Sequence, residues 1–448
     1  MLPSMRSLLV HLNRRHIGTL SEGNDLWTFD YTADWAGDPE GFDLSPALKR
    51  STLSHQDGAT LRPVQWYFDN LLPEEDLRKV LTTEAGLQGE DAFALLAYLG
   101  QESAGSLVLM TPEAVDVIHA AGTGKAGLQP LSDEVLFRRI KDLPRSSLSK
   151  DAPKRMSIAG AQHKLLVVYK DDQLYEPVGE EPSTHILKPN HPGEDYPASV
   201  INEYVVMRLA GRLKLDVPAV HRRYTPAPVY LVQRFDRFVD EGGQTQRRHI
   251  IDACQLLNQA RTFKYTVANL QTLKDVILLC RNRASTRLKL FQWLVFNVLI
   301  ANHDNHIKNI SFLVSHEGIS LAPAYDLLST ATYNTVAFAQ EKANWPHVDM
   351  AVPLVGALTF QQVTRQAVVD SGVVLGLTPA ICTRELNRMV KAMPLELSKL
   401  LKTIEEENLQ LGEDVKLYLG GELRLLRTLA HLILPEMIGR VTASPSAG

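Results

Sequence analysis

Cysteine is scarce in this sequence: three occur in 448 residues, Cys254, Cys280 and Cys382, and none has metal-ligand spacing. That argues against a disulfide scaffold or a thiolate zinc site and suits a reducing compartment. An excess of positive charge is also missing. Lys plus Arg number 47 against 51 Asp plus Glu, for a net charge of -4. Nucleic-acid affinity comes largely from neutralising phosphates, so by composition the chain is no autonomous DNA binder. Long apolar runs are absent too. Leu8-Leu-Val10 soon meets His11, Asn13, Arg14 and Arg15, whereas a secretory core needs roughly 7–15 apolar residues. Leu290 to Ile300 contains Gln292 and Asn297 and is far shorter than the ~20 residues of a spanning helix. The expectation is a soluble, cytoplasmic protein with no membrane partner.

What is present is ordinary globular composition, 45% hydrophobic and 22% charged, over a length that suits two or three domains. Residues 1–110 read as a compact module. Leu8–Leu12, a turn at Arg14-Arg15-His16 and Ile17–Leu20 predict a hairpin, with Trp27–Tyr31 as a further strand. Asp91 is placed to cap a helix from Ala92 to Leu99 that ends at a left-handed Gly100. Residues 111–154 carry small residues, Pro144 and several serines, and read as a connecting segment. Gly122-Thr-Gly-Lys125 within it is no complete phosphate loop, because neither Ser nor Thr follows the lysine. Residues 155–240 look strand-rich, with Lys164–Tyr169, His185–Lys188 and Val229–Val232 as strands and Asn202–Leu213 as an inserted helix. Residues 241–448 turn helical almost throughout, from a buried Leu288–Ile300 to amphipathic runs at Leu386–Met393, Leu395–Ile404 and Leu423–Ile433, with Thr378-Pro379 as a capped start.

The chemistry concentrates in Asn302-His-Asp304-Asn-His306-Ile-Lys308-Asn309 and the later Tyr325-Asp326. Four residues separate Asp304 from Asn309, the spacing by which protein kinases place a catalytic base and a metal ligand, and a later Asp supplies a second ligand. Asn309 offers an amide oxygen suited to Mg²⁺, and Lys308 could neutralise charge on a transferring phosphoryl group. The plain alternative is a polar turn whose Asp and Asn bond local backbone. A transition-metal site at His303, Asp304 and His306 is a third reading, without a further His or Cys cluster to complete it. Lys188 closes a strand, where kinases hold the lysine that grips ATP, and Glu203 on the following helix is its candidate ion-pair partner. Each also reads as an ordinary surface residue. Small residues from Ser157 to Gln162 would let backbone amides approach phosphates. Gln233-Arg234-Phe235-Asp236-Arg237 would form a connector whose backbone faces the adenine, though on its own the segment reads as a charged turn.

Taken in order, Ser157–Gln162, Thr184–Lys188, Asn202-Glu-Tyr204, Arg234–Arg237, Phe291-Gln-Trp293, Asn302–Asn309 and Tyr325-Asp326, with Phe68–Pro73 and Gly100–Gly105 in the first module, resemble the HipA family of toxin serine/threonine kinases. The resemblance implies an α+β, two-lobe protein-kinase-like fold: a β-rich N-terminal lobe with an extra N-terminal subdomain, and an all-helical C-terminal lobe. It implies ATP and Mg²⁺ as cofactors, Asp304 as base, and Asn309 with Asp326 as metal ligands. Lys188, Gln233, Arg234, Phe235, His306, Ile307, Lys308, Asn309 and Asp326 would contact ATP, as would a loop of Ala159, Gly160, Ala161, Gln162, His163 and Lys164. Ser157 would be an autophosphorylation site whose added charge repels the nucleotide. The implied partners are a HipB-like helix-turn-helix antitoxin, operator DNA mainly through that antitoxin, and a protein of translation such as glutamate–tRNA ligase, whose phosphorylation arrests growth. Gln233, Asn305 and His163 depart from the family's better-known members, and the last leaves the loop's behaviour open. The alternatives are a catalytically idle co-repressor acting through the antitoxin and a kinase for small molecules or lipids.

Overall fold

The computed structural model describes residues 5–87, 91–115, 126–156 and 159–443. The chain divides into two compact units, each discontinuous in sequence. One comprises Met1–Lys188, Leu231–Phe263 and Ser311–Ala322; the other comprises Pro189–Tyr230, Lys264–Ile310 and Pro323–Gly448.

The first unit opens with an antiparallel meander, Arg6–Leu12, Arg15–Gly23 and Leu26–Tyr31. Alternation decides its faces: Leu8, Val10, Leu20, Trp27 and Phe29 are buried on one of them, and Ile17, at the register shift after Val10, is buried as well. The turn falls one residue earlier than its expected start, at Asn13-Arg14, both with positive φ. Asn tolerates that backbone readily, and two such residues match the twist of a tight hairpin. The helices Pro63–Asp69 and Ala92–Leu99 complete this core, with Phe93 edge-on to Trp27 at 5.2 Å. Asp91 caps the second helix through Ala94 N–H at 3.0 Å, as expected. Gly100 corrects the expectation of a left-handed stop, because its φ is -70°. Glycine is needed there for close approach, since a Cβ would lie 2.6 Å from the carbonyl oxygens of Leu96 and Leu109.

A second sheet of this unit sets Gly127–Pro130, Gln173–Val178, Leu165–Lys170 and His185–Pro189 side by side, antiparallel. A third pairs His249–Asp252 with Ser311–Ser315 and that strand with Gly318–Leu321. The same unit holds a buried charge cluster. Glu102 is fully buried and meets Lys154 at 2.7 Å, Arg237 at 2.9 Å, Arg247 at 3.2 Å and Arg234 at 3.6 Å. Asp236 pairs with Arg234 at 2.7 Å and accepts from Gly105 N–H at 2.8 Å. Burial opposes ionisation of Glu102, yet the four cations together hold its pKa well below the usual carboxylate value.

The second unit is mainly helical. Arg283–Leu299 buries Phe291, Leu294 and Phe296 and packs against Leu270–Leu279 and Pro379–Asn408. Full burial of each such side chain contributes roughly 1.5–3 kcal/mol. Thr378 caps the long helix through Ile381 N–H. The two expected amphipathic runs on either side of Pro394 are one helix, because Met389, Met393, Leu397 and Leu400 continue a single buried stripe past the proline. Lys416–Thr428 continues through a π-helical turn, Leu429–Ile433, into Leu434–Thr442.

The residues after 240 are therefore not purely helical, which corrects the all-helical expectation for that stretch. They hold the three-stranded sheet above and the hairpin of Asp349–Leu354 with Ala357–Thr359. Strands of three to six residues are too short to impose a readable period. Among the described residues, no helix is long and apolar enough to cross a membrane. The fragment Gly122–Lys125 lies outside the described residues.

Candidate active site

The buried helix Arg283–Leu299 ends at Ile300, and Ala301 takes a positive φ of 51° to turn the chain outward. The next residues are held by a small hydrogen-bond scaffold. Asn302 is buried; its Nδ2 donates to Asn297 Oδ1 at 2.8 Å, and its Oδ1 accepts from Asp304 N–H at 3.0 Å and Thr330 Oγ1 at 3.1 Å. Thr330 Oγ1 in turn accepts from His303 N–H at 2.7 Å. The loop thus rests on a side chain 28 positions away. Ile307–Asn309 forms one 3-10 turn, and Asn309 Nδ2 donates to the Asp304 carbonyl at 2.9 Å. With its nitrogen engaged as a donor, the amide's oxygen is the atom suited to a cation.

Asp326 has a φ of 58°, a left-handed conformation that Asp adopts more readily than most residues. The Tyr325 hydroxyl beside it donates to the Lys308 carbonyl at 2.8 Å, which ties this segment to the loop. Asp304 and Asp326 feel one another. Burial raises the Asp304 pKa, His306, the Tyr265 hydroxyl and Lys264 oppose that rise, and the charge of Asp326 adds to it. His306 Nε2 lies 4.0 Å from Asp304 Oδ1. Tyr230 is buried, and its pKa is driven well above 10, first by burial and then by the charges of Glu203 and Asp326. Glu203, Asp304, His306, Lys308, Asn309 and Asp326 belong to one unit, where Asn309 bonds the Asp304 carbonyl and His306 lies beside the Asp304 carboxylate.

The donor set fits a hard divalent cation: an Asp326 carboxylate, an Asn309 amide oxygen, and a second carboxylate whose repulsion a cation would relieve. Among the described residues no group of three or more His, Cys, Asp or Glu is arranged to hold a metal, so the transition-metal reading of His303, Asp304 and His306 gains nothing. A magnesium bound through two side chains and nucleotide phosphates does not require such a group.

The remaining candidates lie in the first unit. Lys188 sits in the strand His185–Pro189 and is buried, which overturns its reading as a solvated edge lysine. Gly160 has a φ of 108° and bridges to Pro73, with Glu74 N–H donating to its carbonyl at 3.2 Å. Lys164 Nζ donates to the Ala159 carbonyl at 2.8 Å, closing the loop on itself. His163 is buried, Gln162 half-buried and Ala161 exposed. Ser157 lies outside the described residues. Gln233 is exposed at the end of the strand Pro228–Gln233. The Arg234 side chain is committed to Asp236, Ser183 and the Ser103 carbonyl, and its N–H to the Thr184 carbonyl at 2.9 Å. Phe235, next to it, is half-buried.

Sequence reasoning missed Thr330, Tyr230, Tyr265 and Glu102. Only the Asn302-x-Asp304 turn, an Asx-type bond over two residues, could have been anticipated locally.

Two comparisons in sequence agree with this architecture. Residues 8–110 match the HipA N-terminal domain, and residues 156–395 match the HipA-like C-terminal domain. The chain belongs to the HipA family and is a serine/threonine-protein kinase with a two-lobe kinase-like fold. It is 32% identical over 347 residues to the serine/threonine-protein kinase toxin HipA of Shewanella oneidensis, spanning 73% of this chain and 76% of that one. To the putative kinase Y4mE of Sinorhizobium fredii it is 37% identical over 312 residues, 68% of this chain and 72% of the relative. The solved complex of Shewanella oneidensis HipA with HipB and operator DNA superposes with a TM-score of 0.73 at 26% identity, covering 97% of each chain.

Proposed function

We propose that this kinase uses Mg·ATP, phosphorylates serine or threonine on a protein of translation, and serves as the toxin of a HipBA-type toxin–antitoxin pair. The observation that supports the reading most is the loop in which Asn302 and Thr330 hold Asp304, Asn309 bonds back to it, and Asp326 stands near enough to raise its pKa. In this reading Asp304 accepts the proton of the substrate hydroxyl, and the half-exposure of its side chain leaves the carboxylate within reach of an acceptor. Asn309 and Asp326 would hold the magnesium, which when bound neutralises charge on the nucleotide phosphates. Lys188, paired with Glu203, would grip those phosphates beneath the loop Ala159–Lys164. His306, Ile307 and Lys308 would line the same site, and backbone at Gln233, Arg234 and Phe235 would face the adenine. Ser157 would accept phosphate from the enzyme itself.

The organisation proposed with it is an N-terminal subdomain at 1–110, a connector at 111–154, a small lobe at 155–240 and a large lobe from 241. The partners follow the solved relative, whose complex contains HipB and operator DNA. A HipB-like helix-turn-helix protein would restrain this chain and carry most of the DNA contact, which suits a net charge of -4. The protein acceptor would be an aminoacyl-tRNA synthetase such as glutamate–tRNA ligase, met in the cytoplasm, and its modification would arrest growth.

The test is incubation of purified full-length chain with Mg·[γ-³²P]ATP, followed by mass spectrometry of the labelled protein. Phosphate on Ser157 of the wild type and none on Asp304→Asn is the expected result. Equal labelling of both removes the assignment of the base.

A further inference from the structure

Tyr265 belongs to none of the motifs above, yet its hydroxyl donates a hydrogen bond to Asp304 Oδ1. Its ring stands edge-on to His306, with centroids 4.8 Å apart at 84°, and the Lys264 ammonium lies 5.4 Å from its own centroid. Backbone fixes the segment beside the loop as well: Ile307 N–H donates to the Lys264 carbonyl at 3.3 Å, and Ala268 N–H to the Tyr265 carbonyl at 3.0 Å. The pair is not a core contact. Tyr265 is 47% exposed and the Asp304 side chain 48%.

A hydroxyl donating to the carboxylate of a general base has the geometry that an acceptor serine or threonine must take up before transfer. Here the chain supplies such a hydroxyl itself. We propose that Tyr265 is a gate on the acceptor site: its phenol occupies, on Asp304, the place of the substrate hydroxyl and is displaced when a protein acceptor binds. The proposal rests on the assignment of Asp304 as base. Two consequences follow from the chemistry. Water meets a base already engaged, which suppresses futile ATP hydrolysis. An acceptor has to break a hydrogen bond to a charged group, so a hydroxyl-bearing segment with enough contacts of its own succeeds where a small alcohol does not.

A supporting role in holding the loop predicts the opposite sign from a gate. A lost support lowers turnover; a lost gate raises it. Full-length wild type, Tyr265→Phe and Asp304→Asn are therefore compared in two assays: phosphate release from Mg·ATP with no added acceptor, and transfer to a synthetic peptide of residues 150–164 at varied concentration. For Tyr265→Phe, phosphate release rises about 3–10-fold, the worth of a part-exposed hydrogen bond to a carboxylate, and peptide KM falls by a similar factor. Asp304→Asn is silent in both assays. Unchanged or lowered phosphate release in Tyr265→Phe, with Asp304→Asn still silent, overturns the gate and spares the base. Activity retained in Asp304→Asn overturns the base and the gate with it. Phosphotyrosine at position 265 in the wild type makes the residue an acceptor, which also overturns the gate.

Discussion

His249 offers a quantitative check on how the first unit is held together. Its ring is buried, stacked on Phe42 at 5.1 Å, with Nε2 3.0 Å from the Leu44 carbonyl and Nδ1 2.9 Å from Ser106 Oγ. A carbonyl only accepts, so Nε2 carries the proton and Nδ1 accepts from the serine, the neutral tautomer. Burial, partly offset by the Leu44 bond, pushes the pKa from 6.5 down to about 4. The sign follows from linkage: below pH 6.5 the unfolded imidazole takes up a proton that the folded one refuses, so stability falls as pH falls. The loss amounts to about 2 kcal/mol between pH 7.5 and 5, approaching about 3 at pH 4. The perturbation is His249→Gln, whose amide can still donate to Leu44 but does not titrate. Urea unfolding is followed by tryptophan fluorescence; Trp27, Trp35 and Trp66 report on the same unit. At pH 7.5 the variant is less stable than wild type, and by pH 5 the gap closes by about 2 kcal/mol. A gap that stays constant across that range refutes a neutral, buried His249.

Two further predictions test the scaffolds. Glu102→Gln keeps the shape of the side chain but strands Lys154, Arg234, Arg237 and Arg247 around one remaining carboxylate, Asp236; urea unfolding is expected to show a loss of about 3–5 kcal/mol, the usual cost of breaking a buried ion cluster. Because the Glu102 pKa is held well below its ordinary value, the wild type loses that contribution only as pH falls below the unfolded carboxylate range, whereas the variant shows no such component. Thr330→Val removes the oxygen that bonds both His303 N–H and Asn302; peptide phosphorylation is expected to drop roughly tenfold or more while unfolding shifts by only about 1–2 kcal/mol.

Much of this protein is written locally. Alternation in Leu8–Leu12 and Trp27–Tyr31 names the meander and its buried face, and apolar residues on most faces from Leu290 mark a helix hidden from water. Asp304 and Asn309 stand in a run of polar residues directly after a buried helix, so their spacing was visible as a candidate site. The turn at Asn13-Arg14, the fused helix through Pro394 and the strands after residue 240 were less legible, because each depends on what it packs against.

Sequence alone thus determined which segments bury a face and which loop carries the Asp304–Asn309 spacing, since period and residue type act over a few neighbours. Tertiary structure alone decided what holds them. Glu102 meets Arg247 across 145 positions, Tyr265 meets Asp304 across 39, and Thr330 meets Asn302 across 28. Hydrogen bonds and ion pairs at such separations leave no periodic trace, for they are selected by the shape of the folded chain and not by the preference of any one stretch of it.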